Sequence, residues 1–209
     1  MGKPISTHLG LTDAYNKILL LKNLTEQIFQ GISLSRYRDN KGSSERIVNV
    51  RDLKQLYVTA EDLSVEQLSV PNLDKHQLNT SDVVIPIRGM PLRASVVTDQ
   101  VQGSLAGQNL AVLRPRREVI NPMYLAVVMR SEWLARSLNK FYGSSTGTQL
   151  LKLSQLRDLE IPVPDLATQY KVAQLFLSTE RTSQITLEKL EIRQRQTELI
   201  LSRILEGQQ

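Results

Sequence analysis

The tetrapeptide Asn121-Pro122-Met123-Tyr124 is the part of the sequence closest to a catalytic motif. Adenine methyltransferases hold a flipped base with Asn-Pro-Pro-Tyr, but the second proline is missing here. No glycine-rich strand and turn upstream could bind S-adenosylmethionine. An asparagine N-cap followed by proline at the first helical position explains the same residues. We therefore interpret them as the start of a helix and not as a catalytic site.

Carboxylates, histidines and cysteines form no catalytic pattern either. A magnesium-dependent nuclease needs clustered carboxylates, but Glu160 on a predicted strand has no obvious acidic partner and Asp158 fits a turn. The two histidines, His8 and His76, lie in polar contexts, and the chain has no cysteine. Disulfides, thiolate zinc sites and cysteine nucleophiles are thereby excluded. The sequence predicts no catalytic residue, no metal site and no cofactor.

Readout of DNA needs only basic and polar side chains on loops that a rigid scaffold holds. Three segments qualify: 35–44 (SRYRDNKGSS), the turn 88–93 with Gly89 and Pro91, and the small-residue loop 141–149 (FYGSSTGTQ). An ordinary flexible loop or a structural turn is the alternative for each. The candidate DNA-contacting residues in these segments are Arg36, Arg38, Lys41, Arg88, Arg93, Ser144, Ser145, Thr146 and Gln149.

Two further positions, Gln108 and Asn109, could bond bidentately to adenine. An asparagine in a tight turn can equally bond its own backbone, so a purely structural role remains open. The cluster of Arg114, Arg116 and Arg117 favours a phosphate contact or a partner surface over base reading.

The net charge of +5 is concentrated in one part of the chain. Residues 85–157 contain ten lysines and arginines but only three acidic residues, whereas residues 180–209 contain five of each sign. Basic side chains near a phosphate backbone release condensed counterions, which supplies much of the affinity for duplex DNA. The charge therefore favours nucleic-acid binding by the region before residue 180. A solvated surface with a modest basic bias is the alternative.

Apolar patterns predict a mixed α/β domain. Short apolar runs predict strands at 47–50, 83–87, 94–97, 110–113 and 159–163. A helix should begin at Asn121 and continue to about Tyr142, and residues 12–23 fit either a helix or a strand followed by a turn. The 209 residues can bury one core and leave an extended element. Since no apolar run is long enough to span a bilayer, we expect a cytoplasmic protein with no membrane partner.

The C-terminal part of the sequence predicts one long helix from Leu166 to Leu205. Apolar and small polar residues alternate there at spacings of three and four, and Ile185, Ile192 and Leu199 form an adjacent row of seven-residue period. At ~1.5 Å per residue the helix would extend about 60 Å, more than a small domain needs for its own packing. We expect an intermolecular coiled coil, with a helix folded back on its own domain as the alternative. The predicted dimerisation residues are Phe176, Leu187, Leu190, Gln194, Thr197, Leu201 and Ile204.

The order of segments from about Leu78 to Leu205 points to a known family. Residues 143–169 (GSSTGTQLLKLSQLRDLEIPVPDLATQ) combine a small-residue loop, a short strand, the pair Pro162-x-Pro164, and Gln169 before the long helix. Residues 78–115 contain a strand, an Arg-Gly turn, a second strand, a glycine loop ending in Gln-Asn, and a third strand. This order resembles the specificity subunit of type I restriction-modification systems.

The resemblance implies a protein that reads DNA and performs no chemistry. It implies an α/β (α+β) target recognition domain over residues 1–165 and a helical spacer over residues 166–209. The family's usual subunit carries two recognition domains and two spacers, whereas this sequence shows no internal repeat. We therefore expect a half-subunit that forms an antiparallel homodimer, each copy reading half of a bipartite site.

The partners implied by the resemblance are double-stranded DNA, a DNA adenine methyltransferase subunit that carries S-adenosylmethionine, and a restriction or translocase subunit. Two other function classes stay open at this point. One is a protein-interaction adaptor of the same fold that has lost DNA readout, and the other is an enzyme in its own right.

Overall fold

The computed structural model describes residues 17–88, 93–139 and 150–206. The chain divides into two compact units, Met1–Ala173 and Gln174–Gln209. In the described ranges the strands are β1 Lys17–Leu20, β2 Thr25–Gln30, β3 Arg38–Val48, β4 Ser64–Leu68, β5 Val83–Pro86, β6 Ser95–Val96, β7 Leu105–Ala106, β8 Leu110–Pro115 and β9 Glu160–Val163. The α-helices are α1 Leu21–Leu24, α2 Leu34–Tyr37, α3 Pro122–Arg130, α4 Glu132–Asn139, α5 Leu153–Arg157 and α6 Leu166–Glu206.

The strands of the first unit form three small sheets. β2, β8, β5 and β6 lie in that order in an antiparallel sheet, β4, β3 and β7 form a second sheet in which β7 runs parallel to β3, and β1 pairs with β9. β5 is buried at all four positions and β8 at five of six, which explains why both strands appear in the sequence as unbroken apolar runs. α3 packs on β5 and β6. The structure thus confirms a mixed α/β domain.

The predicted strands at 83–87, 94–97, 110–113 and 159–163 are confirmed, whereas the strand predicted at 47–50 ends at Val48, because Val50 begins a short 3-10 helix. The prediction of a loop at 35–44 is wrong. Residues 34–37 form α2, and β3 begins at Arg38 and pairs with β4. Of the ambiguous segment 12–23, residues 12–16 lie outside the described residues, 17–20 form β1, and the remainder lies in α1. Most side chains in the first part of β3 (RDNKGSS) face solvent, so this part has no apolar pattern that would predict a strand.

The predicted helix from Asn121 to about Tyr142 consists of two helices. The Asn121 side chain accepts hydrogen bonds from the backbone N–H groups of Met123 at 2.8 Å and Tyr124 at 3.2 Å, as the N-cap prediction requires. Ser131 is extended (φ −73°, ψ 145°) and ends α3. Its hydroxyl accepts a hydrogen bond from the Leu134 N–H at 3.2 Å, so Ser131 caps α4 and breaks the continuous helix. Residues beyond Asn139 in this prediction lie outside the described residues.

Asp165 caps the start of α6. Its carboxylate accepts hydrogen bonds from the Thr168 hydroxyl at 2.6 Å and the Thr168 N–H at 3.0 Å. These bonds, the hydroxyl foremost, lower the pKa of the Asp165 carboxyl below its ordinary value. A negatively charged residue at an N-cap interacts favourably with the positive end of the helix dipole, so the aspartate suits this position.

Gln169 joins the first turn of α6 to the cap of α3. Its side chain is buried, and Oε1 accepts a hydrogen bond from the Asn121 N–H at 2.7 Å. Nε2 donates to the carbonyl oxygens of Pro164 at 2.8 Å and Val119 at 3.2 Å. All the hydrogen-bonding groups of the amide are therefore used. This network is a structural explanation for the Pro162-x-Pro164 and Gln169 pattern.

α6 carries exposed apolar side chains on two opposite faces. Residues in an α-helix are about 100° apart, so Ile185 lies about 200° from Leu187. The expectation that Ile185, Ile192 and Leu199 form an adjacent row is therefore wrong, because this row lies opposite the predicted seam. Ile192 is 57% exposed and Leu187 is 60% exposed. Both faces thus remain available to partners.

The predicted seam residues differ in their surroundings. Phe176 is partly buried, and the others are exposed, including Leu190, Leu201 and Ile204. The Thr197 hydroxyl donates to the Arg193 carbonyl oxygen at 3.0 Å, so it needs no partner from another chain. A coiled coil through these residues and Gln194 stays a prediction. Among the residues that the structure describes, no helix is long and apolar enough to cross a membrane.

Candidate nucleic-acid interface

One end of the four-stranded sheet is where its connecting turns meet. β2 ends at Gln30 opposite Ala111, and β5 ends at Pro86 opposite Leu110, so both strands end where β8 begins. β6 is antiparallel to β5 and therefore also begins at this end. We call this end of the sheet, at Gln30, Pro86 and Leu110, the loop end.

Four predicted DNA-contacting residues lie at the loop end. Arg88 follows β5 by two residues, Arg93 precedes β6 by two residues, and Gln108 and Asn109 come directly before β8. All four are exposed. The Ile87 N–H donates to the Asn109 carbonyl oxygen at 2.9 Å, which links the first of these turns to the last. The structure therefore brings together residues that are up to 21 positions apart in the sequence, from Arg88 to Asn109.

The third predicted loop, residues 141–149, lies outside the described residues. The predicted contacts Ser144, Ser145, Thr146 and Gln149 lie outside the described residues, as do Gly89 and Pro91. Leu150, the first described residue after this segment, forms a β-bridge with Arg88. The Leu151 N–H also donates to the Ile87 carbonyl oxygen at 2.9 Å. The described chain thus resumes at the loop end.

Gly31 allows two backbones to meet at the loop end. Its N–H donates to the Leu110 carbonyl oxygen at 2.9 Å, and the Ile32 N–H donates to that of Ala106 at 2.8 Å. A Cβ on Gly31 would overlap the carbonyl oxygens of Ala106 and Gly107. Only glycine therefore permits this close approach, which fixes the turn at Gly107 against the end of β2.

An open groove of about 530 Å³ borders the turn that contains Gln108 and Asn109. The sequence did not predict the polar residues that line the groove together with this turn, because three distant segments contribute them. The only local signal was Asn49-x-x-Asp52, a capping-box pattern that predicts a turn around Arg51. The groove is lined by Leu34, Ser35, Asn49, Val50, Arg51, Ser64, Glu66, Gly107, Gln108, Asn109 and Leu110.

The basic residues predicted on the first loop are not gathered in this groove. Arg38 and Ser43 both pair with Leu68, so residues 39–42 form an irregular excursion of β3, where Lys41 is exposed. Arg38 donates to the Glu66 carboxylate at 2.9 Å. Arg36 is exposed, and its guanidinium lies 5.5 Å from the centre of the Tyr37 ring. Arg38 does not line the groove itself, but it contacts Glu66, which does.

Arg114 was predicted to contact phosphate or a partner, and this prediction is wrong. Its guanidinium donates two hydrogen bonds to the buried Asp82 carboxylate, both at 2.9 Å. The bond to Asp82 raises the pKa of Arg114, against the opposite effect of partial burial. Arg114 therefore stabilises the fold, whereas Arg116 and Arg117 are exposed.

Other arginines also serve the fold. Arg130 donates to the carbonyl oxygens of Ala94 and Gln55, and Arg157 donates to that of Ile28 at 3.1 Å. The basic excess of residues 85–157 is therefore only partly available to a ligand. The exposed arginines at the loop end, Arg88 and Arg93, are therefore the stronger candidates for DNA contact.

The tetrapeptide Asn121–Tyr124 is occupied by structural contacts. Besides the N-cap, the Tyr124 hydroxyl donates to the Pro162 carbonyl oxygen at 2.8 Å, and burial raises the pKa of Tyr124. The Tyr57 hydroxyl donates to the Met123 sulfur at 2.9 Å. Over the described part of the chain, no three histidine, aspartate or glutamate side chains cluster as metal ligands.

Comparison with known proteins assigns the chain to a family. Residues 47–195 match the type I restriction modification DNA specificity domain, and the chain belongs to this family. A protein of Methanocaldococcus jannaschii described as the type I restriction enzyme MjaX specificity subunit is 26% identical over 160 residues. This match covers 74% of the chain and 37% of that relative.

Solved structures share the fold. The HsdS subunit from Thermoanaerobacter tengcongensis matches 88% of the chain with a TM-score of 0.64 at 16% identity. The type I restriction-modification S subunit from M. genitalium matches 88% with a TM-score of 0.53 at 12% identity. The alignments cover 47% and 44% of those two chains. The chain therefore spans less than half the length of the relatives it matches.

Proposed function

We propose that the chain is the DNA-reading component of a type I restriction-modification complex, acting in the cytoplasm and performing no chemistry itself. The observation that carries this proposal is the convergence of exposed Arg88, Arg93, Gln108 and Asn109 at the loop end. Arginine and amide side chains bind phosphates and base edges, and the sheet holds them in fixed positions. Membership of the DNA specificity domain family supports the same function.

The salt dependence of DNA binding tests this proposal. The full chain, with a candidate adenine methyltransferase subunit, should bind a duplex with an affinity that falls linearly in log–log form as salt rises. Arg88→Ala or Arg93→Ala should cost about 1–3 kcal/mol at one target position if the residue reads guanine. Arg181→Ala on α6 is the control and should have no effect. A complex that forms but binds no duplex at low salt would overturn the proposal and favour an adaptor of the same fold.

We further propose that α6 pairs with α6 of a second copy through the seam. Leu187, Leu190, Leu201 and Ile204 are 49–60% exposed on one face of the helix. A twofold pair is the commonest way to bury such a self-complementary surface. Gln194 in the seam would restrict the register, as buried polar groups do in coiled coils.

Sedimentation analysis distinguishes the two faces of α6. Replacing Leu187, Leu190 and Leu201 with lysine should produce monomers. The matched control replaces Ile185, Ile192 and Leu199 with lysine and should leave the dimer intact, because these residues lie on the opposite face. An unmodified chain that stays monomeric at micromolar concentration, alone and with its partner, would refute the pairing.

The methyltransferase subunit is proposed to use this opposite face. A single partner helix covers one face of α6, so the row of Ile185, Ile192 and Leu199 would remain exposed in the dimer. The lysine variant of this row should therefore dimerise but lose the methyltransferase in co-purification. Retention of the methyltransferase by that variant would place its docking surface elsewhere. A restriction or translocase subunit completes the proposed complex.

A further inference from the structure

The groove beside the loop end differs chemically from a phosphate-binding surface because it contains a carboxylate. Glu66 lines the groove, and its carboxylate is held at 2.9 Å by the Arg38 guanidinium. Phosphate oxygens only accept hydrogen bonds, and a carboxylate repels them. Base edges, in contrast, present amino donors as well as acceptors, and a glutamate can accept from the amino group of cytosine.

Arg51 is positioned in the same groove by its own turn. The Asp52 carboxylate accepts a hydrogen bond from the Asn49 N–H at 2.7 Å and lies 3.6 Å from the Arg51 Nε. The Asp52 side chain is only 6% exposed, whereas that of Arg51 is 67% exposed. The Arg51 guanidinium thus lies beside a carboxylate that is itself fixed, and it remains exposed to the groove. Arg46 is different, because its guanidinium donates to the carbonyl oxygens of Gln100 and Gln102.

The turn at Gln108 and Asn109, which also lines the groove, is held by hydrogen bonds to two other segments. The Gln30 side chain donates to the Gln108 carbonyl oxygen at 2.6 Å, and the Gly107 N–H donates to that of Val48 at 2.9 Å. The backbone of the turn is thus fixed while the Gln108 and Asn109 side chains remain exposed. A guanidinium, a carboxylate and the amides of Asn49, Gln108 and Asn109 consequently line one concave surface. This combination complements base edges rather than a row of phosphates.

We infer that this groove is a base-reading subsite, in which Arg51 and Glu66 determine specificity. Arg51 donates to the O6 and N7 acceptors of a guanine, and Glu66 accepts from the amino group of a cytosine. Arg38 is a positioning residue that orients the Glu66 carboxylate. The inference rests on the proposed function and adds to it two residues and two base types.

The test uses two isosteric or charge-conserving variants of the full chain with its methyltransferase partner. A duplex is first selected from a random-sequence library by the unmodified protein, and a scrambled duplex serves as the non-specific probe. Arg51→Lys should lose roughly 5-fold of discrimination at one guanine while keeping the salt dependence, because the flexible lysine ammonium lacks the rigid planar fork with which arginine matches O6 and N7. Glu66→Gln should change the preferred base at one position and leave affinity for the scrambled duplex unchanged.

Two results would overturn the inference. If Arg51→Lys behaves like the unmodified protein, Arg51 supplies only a point charge. If Glu66→Gln tightens binding to both duplexes equally, Glu66 merely repels phosphate. Arg181→Lys and Glu61→Gln, at exposed positions outside the groove, are the matched controls and should select the original sequence.

Failure of the inference can be told apart from failure of the proposed function. If the unmodified protein selects no sequence from the library, the proposed DNA readout itself is wrong. If it selects a sequence and both groove variants select the same one with equal discrimination, only the assignment of Arg51 and Glu66 is wrong.

Discussion

Replacing Gln169 with leucine should destabilise the first unit more than any surface substitution. The amide makes three hydrogen bonds, to the Asn121 N–H and to the carbonyl oxygens of Pro164 and Val119. At about 1 kcal/mol net for each bond, their loss should cost about 3 kcal/mol, and more where a buried group stays unpaired. With a urea m-value of about 2 kcal/mol/M, the unfolding midpoint should fall by about 1.5 M.

The fluorescence of Trp133, the single tryptophan of the chain, reports unfolding of this unit because it lies in α4. Leucine has nearly the volume of glutamine, so Gln169→Leu removes polarity without opening a cavity. The control is Gln100→Leu, an exposed glutamine whose backbone carbonyl, and not its side chain, contacts Arg46. If the midpoint of Gln169→Leu lies within about 0.3 M of that control, the hydrogen-bond argument is refuted.

Three other predictions concern the stability of the fold, its loss at low pH, and the DNA target. Asp82→Asn should cost about 3–5 kcal/mol in urea unfolding because it leaves Arg114 without its carboxylate, and an unchanged midpoint would return Arg114 to the DNA surface. Because the pKa of Asp165 is lowered in the folded state, its stabilising effect is present above the ordinary value of 3.8 and is lost as pH falls through the lower folded value. Thr168→Val should raise that pKa in an NMR titration; no rise would exclude the hydroxyl as its main cause. A homodimer should read an interrupted palindrome, and methylation mapping that finds an asymmetric target would contradict twofold pairing.

The sequence predicts best those elements that are buried on both faces. β5 and β8 appear as unbroken apolar runs because nearly all of their residues are buried, and α3 packs on β5. β2 (TEQIFQ) and β4 (SVEQL) were missed because each lies at the edge of its sheet and exposes polar side chains. Their apolar signal is too weak to distinguish them from loops.

The candidate site was predictable where its residues lie in turns and unpredictable where they meet through tertiary contacts. Arg88, Arg93, Gln108 and Asn109 follow from turn signals next to strands. Arg51, Glu66 and the Gln108 turn belong to segments of two different sheets, so no local sequence pattern predicts that they line one groove. Arg114 was misread for the same reason, because its partner Asp82 lies on another segment.

The close approach at Gly31 distinguishes a position that the fold requires from the positions that we propose contact DNA bases. Any side chain on Gly31 would collide with the backbone of Ala106 and Gly107, so substitution there should be eliminated by loss of folded protein. Arg51, Gln108 and Asn109 are exposed, and surface substitutions usually change stability by less than about 0.5 kcal/mol. A lineage can therefore explore many side chains at these three positions while the frame beneath them stays constant. If these three residues read bases as proposed, the recognised sequence can diverge while steric exclusion at Gly31 keeps the backbone unchanged.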